Sequence, residues 1–165
     1  MAMNERVTSR RNLLRGQCST SLVEKALRPP GAIDEALFLE ACTRCGDCIK
    51  ACPEQVIAKG DGGFPSLDFR LRGCIGCQAC LESCPTVALS VNEQSMPAGI
   101  ARIDESCLAQ KGVTCQSCKD SCEPEAILFS WENKTPVPRI VVDQCTGCGE
   151  CVSVCPSNSI SVDPN

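Results

Sequence analysis

The 165-residue chain has no histidine and no tyrosine, one tryptophan and four phenylalanines. Without histidine, a metal must sit on thiolates or carboxylates. With aromatics at 3%, and with 11 prolines and 12 glycines breaking up the chain, a large hydrocarbon core is out of reach. No apolar run approaches the roughly 18 residues of a membrane helix. Nothing resembling a flavin motif, a nucleotide loop or a set of substrate-pocket residues is present, which argues against a catalyst in its own right.

Charge is also unevenly supplied. Residues 1–30 carry a net of +4 and residues 31–165 a net of −8. An acidic body argues against nucleic acid, whose binding depends on neutralising phosphates. A basic tail on an acidic body implies different partners for the two ends.

What the chain has in excess is cysteine, 17 residues in all. Sixteen fall into four groups: Cys42, Cys45, Cys48 and Cys52; Cys74, Cys77, Cys80 and Cys84; Cys107, Cys115, Cys118 and Cys122; Cys145, Cys148, Cys151 and Cys155. The first, second and fourth read C-x2-C-x2-C-x3-C-P. The third opens with an x7 interval, and its proline comes one place late, at Pro124. Cys18 is left over and has no second cysteine near it.

Three thiolates at x2 intervals come from one tight loop that wraps a corner of an inorganic cube. Gly46, Gly76, Gly147 and Gly149 lie within such loops, where glycine tolerates positive φ and lets backbone N–H groups approach sulfur. In two-cluster ferredoxins the fourth cysteine ligates the other cluster of the pair, so two motifs make one unit. Zinc would use paired C-x2-C knuckles across a longer linker. Disulfides would need an oxidising compartment, and neighbouring C-x2-C thiols pair with poor geometry. Four [4Fe–4S] clusters on the sixteen cysteines fit best.

The intervals between groups are nearly equal, 21, 22 and 22 residues, which marks an internal repeat. The segments 56–69, 87–104 and 126–143 each read as a hairpin, and 159–162 as a further strand. Residues 49–51, 81–83, 119–121 and 152–154 fit single turns of helix. The expected fold is α+β: tandem bacterial ferredoxin-like modules, small β-hairpins and short helices around [4Fe–4S] clusters. The expected division is a basic tail over 1–33, one two-motif module over 34–95 and a second over 96–165. Two motif orders remain open. Sequential pairing groups Cys42, Cys45 and Cys48 with Cys84, and Cys74, Cys77 and Cys80 with Cys52; it then groups Cys107, Cys115 and Cys118 with Cys155, and Cys145, Cys148 and Cys151 with Cys122. A nested order pairs first with fourth and second with third. The segment before Cys42 reads as helix rather than strand, which weighs slightly against the sequential order.

Taken together, "SRRNLLRG", "FLEACTRC", "GGFPS" and above all "CLAQKGVTCQSCKDSCEPEAILF" resemble the NapF-type ferredoxins, accessory iron–sulfur proteins of periplasmic nitrate reductase systems. The likeness runs from the arginine tail to the end of the chain, and no ligand position departs from it. It implies a cytoplasmic protein that acts on the nitrate reductase catalytic subunit, helping to assemble that subunit's iron–sulfur cluster before export. The residues alone also allow an electron-transfer ferredoxin feeding a reductase.

The Arg10-Arg11 pair opens as a twin-arginine export signal does. Such a signal needs an apolar stretch of about 7–15 residues and a small-residue cleavage site. Here Leu13 and Leu14 are followed at once by Arg15, and residues 22–27 form one stripe of a short amphipathic helix. The tail is therefore expected to bind the catalytic subunit or its export machinery, and not to carry this chain across a membrane.

Overall fold

A computed structural model describes residues 26–90, 96–132 and 135–165. The Arg10-Arg11 pair and Cys18 lie outside the described residues.

Chain order is α1 (Glu35–Ala41), α2 (Asp47–Ala51), β1 (Ile57–Lys59), β2 (Pro65–Leu67), α3 (Ala79–Glu82), β3 (Gly99–Ile103), α4 (Ser117–Asp120), β4 (Ile127–Glu132), β5 (Thr135–Ile140), α5 (Glu150–Ser153) and β6 (Ile160–Pro164). The helices α2 to α5 are one turn each and overlap the four short segments between the third and fourth cysteines. The strands form three two-stranded antiparallel sheets: β1 with β2, β4 with β5, and β3 with β6. The outcome is α+β, with hairpins and short helices arranged around the cysteine loops.

Two of the three expected hairpins form. In β1–β2, Ile57 faces Leu67 and Lys59 faces Pro65. In β4–β5, Ile127 faces Ile140, and Pro136 and Pro138 lie opposite Trp131 and Phe129. Prolines are tolerated in β5 because a two-stranded sheet leaves one edge of each strand unpaired.

The described parts of the segment 87–104, residues 87–90 and 96–104, do not pair with each other. Its first part turns back to the chain before α1: the Ile33 N–H donates to the Ala88 carbonyl at 3.2 Å, the Ser90 N–H donates to Gly31 at 2.8 Å, and Ala32 bridges Leu89. Its last part is β3, which pairs with the C-terminal strand, Ile103 against Ile160 and Gly99 against Pro164. Local β pattern specifies a strand but not its partner, and here the two ends of one segment serve opposite halves of the molecule. The C-terminal half thus has a closing sheet, β3–β6. Among the described residues, the N-terminal half has the single Ala32–Leu89 bridge in that place.

The apolar interior is correspondingly small and divided. One cluster gathers around Phe38, Val56, Ile57, Phe69, Leu81 and Leu89. The other gathers around Ala101, Ile127 and Ile160. Buried cysteines belong to both, Cys48 and Cys80 to the first, Cys118 and Cys151 to the second. Val152 and Val162 pack against both clusters and join the halves.

Residues 27–33 run along the N-terminal half. The Leu67 N–H donates to the Leu27 carbonyl at 2.8 Å. Arg28 grips Glu35 through two bonds, Nε to Oε2 at 3.0 Å and Nη2 to Oε1 at 2.6 Å, and donates to the Pro65 carbonyl at 2.9 Å. Its guanidinium also sits 4.9 Å from the Phe38 ring centre and 5.6 Å from that of Phe64. The Arg28 side chain is 12% exposed, so removing it would leave Glu35 charged and half-buried with no partner. Asp34 caps α1, its carboxylate accepting from the Ala36 N–H at 3.0 Å.

Arg28→Ala is expected to cost about 3 kcal/mol, the scale of breaking a largely buried pair together with a cation–π contact. Arg28→Lys should recover only part, because a lysine lacks the planar fork. Urea titration of the holoprotein measures this as a lower midpoint. An unchanged midpoint in Arg28→Ala would remove Arg28 from the account.

Candidate iron–sulfur sites

The structure brings the cysteines together in four sets, and each set takes its fourth thiol from a neighbouring motif. Cys42, Cys45, Cys48 and Cys84 line one cavity of about 100 Å³. Cys74, Cys77, Cys80 and Cys52 line a second. Cys145, Cys148, Cys151 and Cys122 line another. Cys107, Cys115 and Cys155 surround the buried Cys118 closely enough to repel its thiolate. This is the sequential order. The nested order is not what the chain adopts, and the missing outer strand of the N-terminal half is replaced by the Ala32–Leu89 bridge.

Loop geometry explains how short segments present three thiols each. Gly46, Gly76, Gly147 and Gly149 all have positive φ, between 67° and 80°. Arg44 and Gln78 adopt the same left-handed region at φ 59° and 62°; neither residue type signals it. A second left-handed position follows three residues after the last cysteine of three motifs, at Gln55, Glu125 and Asn158. There the N–H bonds back to the cysteine carbonyl, at 3.2, 3.0 and 3.2 Å. In two cases the next N–H reaches the sulfur itself, Ala126 to Cys122 at 3.3 Å and Ser159 to Cys155 at 3.4 Å. Of these three, only Asn158 is a residue type that favours this backbone.

The stretched interval of the third motif is a closed turn, not a slack loop. The Lys111 N–H donates to Cys107 at 3.1 Å, Gly112 to Ala109 at 3.1 Å and Val113 to Leu108 at 2.9 Å. With Gly112 at φ 83°, these last two bonds make a Schellman stop. Ala109 is buried beneath it, while Lys111 and Gly112 are exposed.

Each set contains one buried thiol whose ionisation its surroundings oppose. Burial pushes the Cys48 thiol up to about 11, with Cys42, Cys45 and Cys84 adding repulsion. Burial likewise pushes Cys80 up to about 12, helped by Cys74, Cys52 and Cys77. Cys118 rises to about 11 and Cys151 to about 12 for the same reasons. Four thiolates cannot gather in one pocket unless positive metal holds them there. Cys155 goes the other way: burial opposes ionisation, but hydrogen bonds from Ser159 and Ser157 outweigh it.

An all-thiolate donor set at this spacing suits a polynuclear group. A single tetrahedral zinc, with Zn–S near 2.3 Å, needs sulfurs roughly 3.8 Å apart. Among the described residues no group of three cysteine or carboxylate side chains converges in the way one ion requires. The thiols stand instead around cavities with apolar walls, such as Ile49 and Ala88 in the first.

One wall carries a further sign of an occupant. The Thr146 hydroxyl, beside the set of Cys145, Cys148, Cys151 and Cys122, is buried and has no hydrogen-bond partner. Such a group costs roughly 1–3 kcal/mol unless it is satisfied. A cluster sulfur held by this set would accept its hydrogen bond.

Fold and sites together define a ferredoxin-type iron–sulfur protein with two dicluster units and four [4Fe–4S] clusters. A family model described as "4Fe-4S dicluster domain" matches residues 41–88 and again 111–159. The second match starts beyond Cys107, yet the turn over 107–113 returns that thiol to Cys118. The ferredoxin-type protein NapF of Haemophilus influenzae is 39% identical over 164 residues, covering 93% of each chain. NapF of Escherichia coli K12 is 36% identical over 156 residues, covering 94% of each. The ferredoxin-type protein NapG of E. coli K12 is 36% identical over 153 residues, covering 78% of this chain and 65% of its own. The chain belongs to the NapF family of ferredoxin-type proteins. Proteins of this type are electron carriers or accessories. Among the described residues no helix is long and apolar enough to cross a membrane.

Thr146→Val is expected to lower the reduction potential of one cluster while leaving the iron content unchanged, because a donor to sulfur stabilises the reduced, more negative state. Thr146→Ser should keep the wild-type value. Potentiometric titration followed by EPR makes the comparison. Equal potentials in all three proteins would show that the hydroxyl does not face the cluster.

Proposed function

We propose that this chain is a cytoplasmic, non-enzymatic four-cluster protein that docks the catalytic subunit of a periplasmic nitrate reductase and assists assembly of that subunit's iron–sulfur cluster before export. The similarity to NapF proteins over more than nine-tenths of both chains carries this reading. The sixteen cysteines are the ligands, in the four sets described, eight in a module over 34–95 and eight in a module over 96–165, with a basic tail over 1–33 ahead of them.

The clusters supply one-electron redox chemistry and exchangeable iron and sulfide. The chain's own residues set how freely. Cys45 and Cys77 are exposed, so the first and second sets each present one ligand to solvent and to a partner. The third set draws on Ser157 and Ser159 through Cys155. No nucleic acid and no membrane span enter this reading.

The basic tail suits the docking role. Arg28 is taken up by Glu35, and residues 1–25 keep five basic side chains against two acidic ones, a net of +3, opposite in sign to the acidic body; each [4Fe–4S] cube with four thiolates adds about −2 to that body. Charge of opposite sign on one arm steers encounter with an acidic partner face. Arg10-Arg11 copies the start of an export signal, while Arg15 interrupts the apolar stretch that translocation requires.

An electron-transfer ferredoxin remains the second reading. It is favoured by the direct contact between cysteine loops of the two halves, where the Cys74 N–H donates to the Cys148 carbonyl at 2.7 Å.

Fractionation is expected to find the unprocessed protein in the cytoplasm with Arg10 and Arg11 intact. Changing both to Ala should weaken capture of the catalytic subunit without altering the four-cluster spectrum. A processed form in the periplasm would overturn the location. Full nitrate reductase maturation with the double variant would move the docking surface onto the cluster body.

A further inference from the structure

The two halves meet through cysteine loops, and the loops that meet are not neighbours in sequence. The second motif, Cys74 to Cys84, is followed in the chain by the third. In space it lies against the fourth. The Cys74 N–H donates to the Cys148 carbonyl at 2.7 Å. One residue earlier, the Gly73 N–H donates to Glu150 Oε2 at 2.8 Å.

The contact is built for close approach. A side chain at Gly73 would strike the backbone of Glu150, and one at Gly149 would strike the Phe69 ring. Phe69 is 6% exposed, so the ring is sealed into the junction. On the far side, Gly147 lies against the backbone of Pro97 and Gly99. Two glycines, Gly73 and Gly149, and one aromatic ring therefore bring the two cysteine loops together, while Gly147 seats the fourth-motif loop on the start of β3.

We infer that this junction is an electron passage between the second and fourth cysteine sets, so that the four sets run in space in the order first, second, fourth, third. The inference rests on the ligand sets proposed above. The route is short: from Cys74 sulfur along its side chain to the backbone N–H, across one hydrogen bond to the Cys148 carbonyl, and out to the Cys148 sulfur. The step is a one-electron exchange. The set holding a reduced cluster loses one electron, the set holding an oxidised cluster gains it, and no proton or bond changes hands. Glu150 is a positioning residue, since its carboxylate clamps Gly73 and so holds the Cys74 amide against Cys148. The first and third sets become the two ends of the chain, and electrons enter or leave there.

EPR of the fully reduced, anaerobically prepared full chain tests this in two variants. One carries Cys42→Ser, Cys45→Ser, Cys115→Ser and Cys118→Ser and keeps the second and fourth sets. The other carries Cys74→Ser, Cys77→Ser, Cys148→Ser and Cys151→Ser and keeps the first and third. Iron analysis comes first: about eight iron per chain is expected in each, and a different count overturns the ligand sets. With eight iron present, spin–spin splitting is expected in the first variant and its loss in the second. Uncoupled signals in the first, or splitting in the second, overturn the passage while leaving the ligand sets standing. Should either variant fail to fold, the four-cluster protein with Glu150→Ala gives the reading. Its iron should match wild type and its inter-half splitting should weaken, with Glu150→Gln restoring it. A Glu150→Ala spectrum identical to wild type would overturn the inference.

Discussion

The structure depends on one constraint: each motif lends its last cysteine to the cavity of its partner motif. Cys84 closes the set begun by Cys42, and Cys52 closes the set begun by Cys74. The same exchange joins Cys155 to the Cys107 set and Cys122 to the Cys145 set. A cluster bound in this way is a cross-link between segments about 20 to 50 residues apart. Metal-binding free energy then becomes folding free energy. That is how a chain with so few large side chains holds a defined shape. The two apolar clusters contain cysteines among their buried members, so the interior and the sites are one construction.

Around that constraint, the remaining side chains do local work. Arg28 ties the segment before α1 to Glu35, Pro65 and two aromatic rings, and so holds in place the stretch that bridges Leu89 through Ala32. In the C-terminal half β3 and β6 supply that sheet. The two halves are therefore built differently on one motif plan. Their contact through Cys74, Cys148 and Glu150 places the sites of one against the sites of the other.

Much of this was legible in the sequence, because cysteine spacing reports local loop geometry. The four motifs, the left-handed glycines, the single-turn helices and two hairpins all follow from residues close together in the chain. The readings that failed or stayed open depend on distant partners. Residues 87–104 look like a hairpin, yet their two ends pair with residues 31–33 and with β6. Motif order was ambiguous because the intervals are nearly equal. Arg44 and Gln78 give no sign of their left-handed backbone. Nothing local to Phe69 or Gly149 shows that the two pack together across 80 residues. The unpartnered Thr146 hydroxyl becomes visible only once the surrounding wall is in place.

The central claim is that the clusters, and not the apolar core, hold this chain in its fold. Removing iron from the anaerobic holoprotein with a chelator, while following iron content and far-UV circular dichroism together, tests it most directly. The account predicts that the native dichroism disappears in step with the iron and that the stripped chain shows no cooperative melting. An iron-free protein that keeps its dichroism and melts in one sharp transition would contradict it.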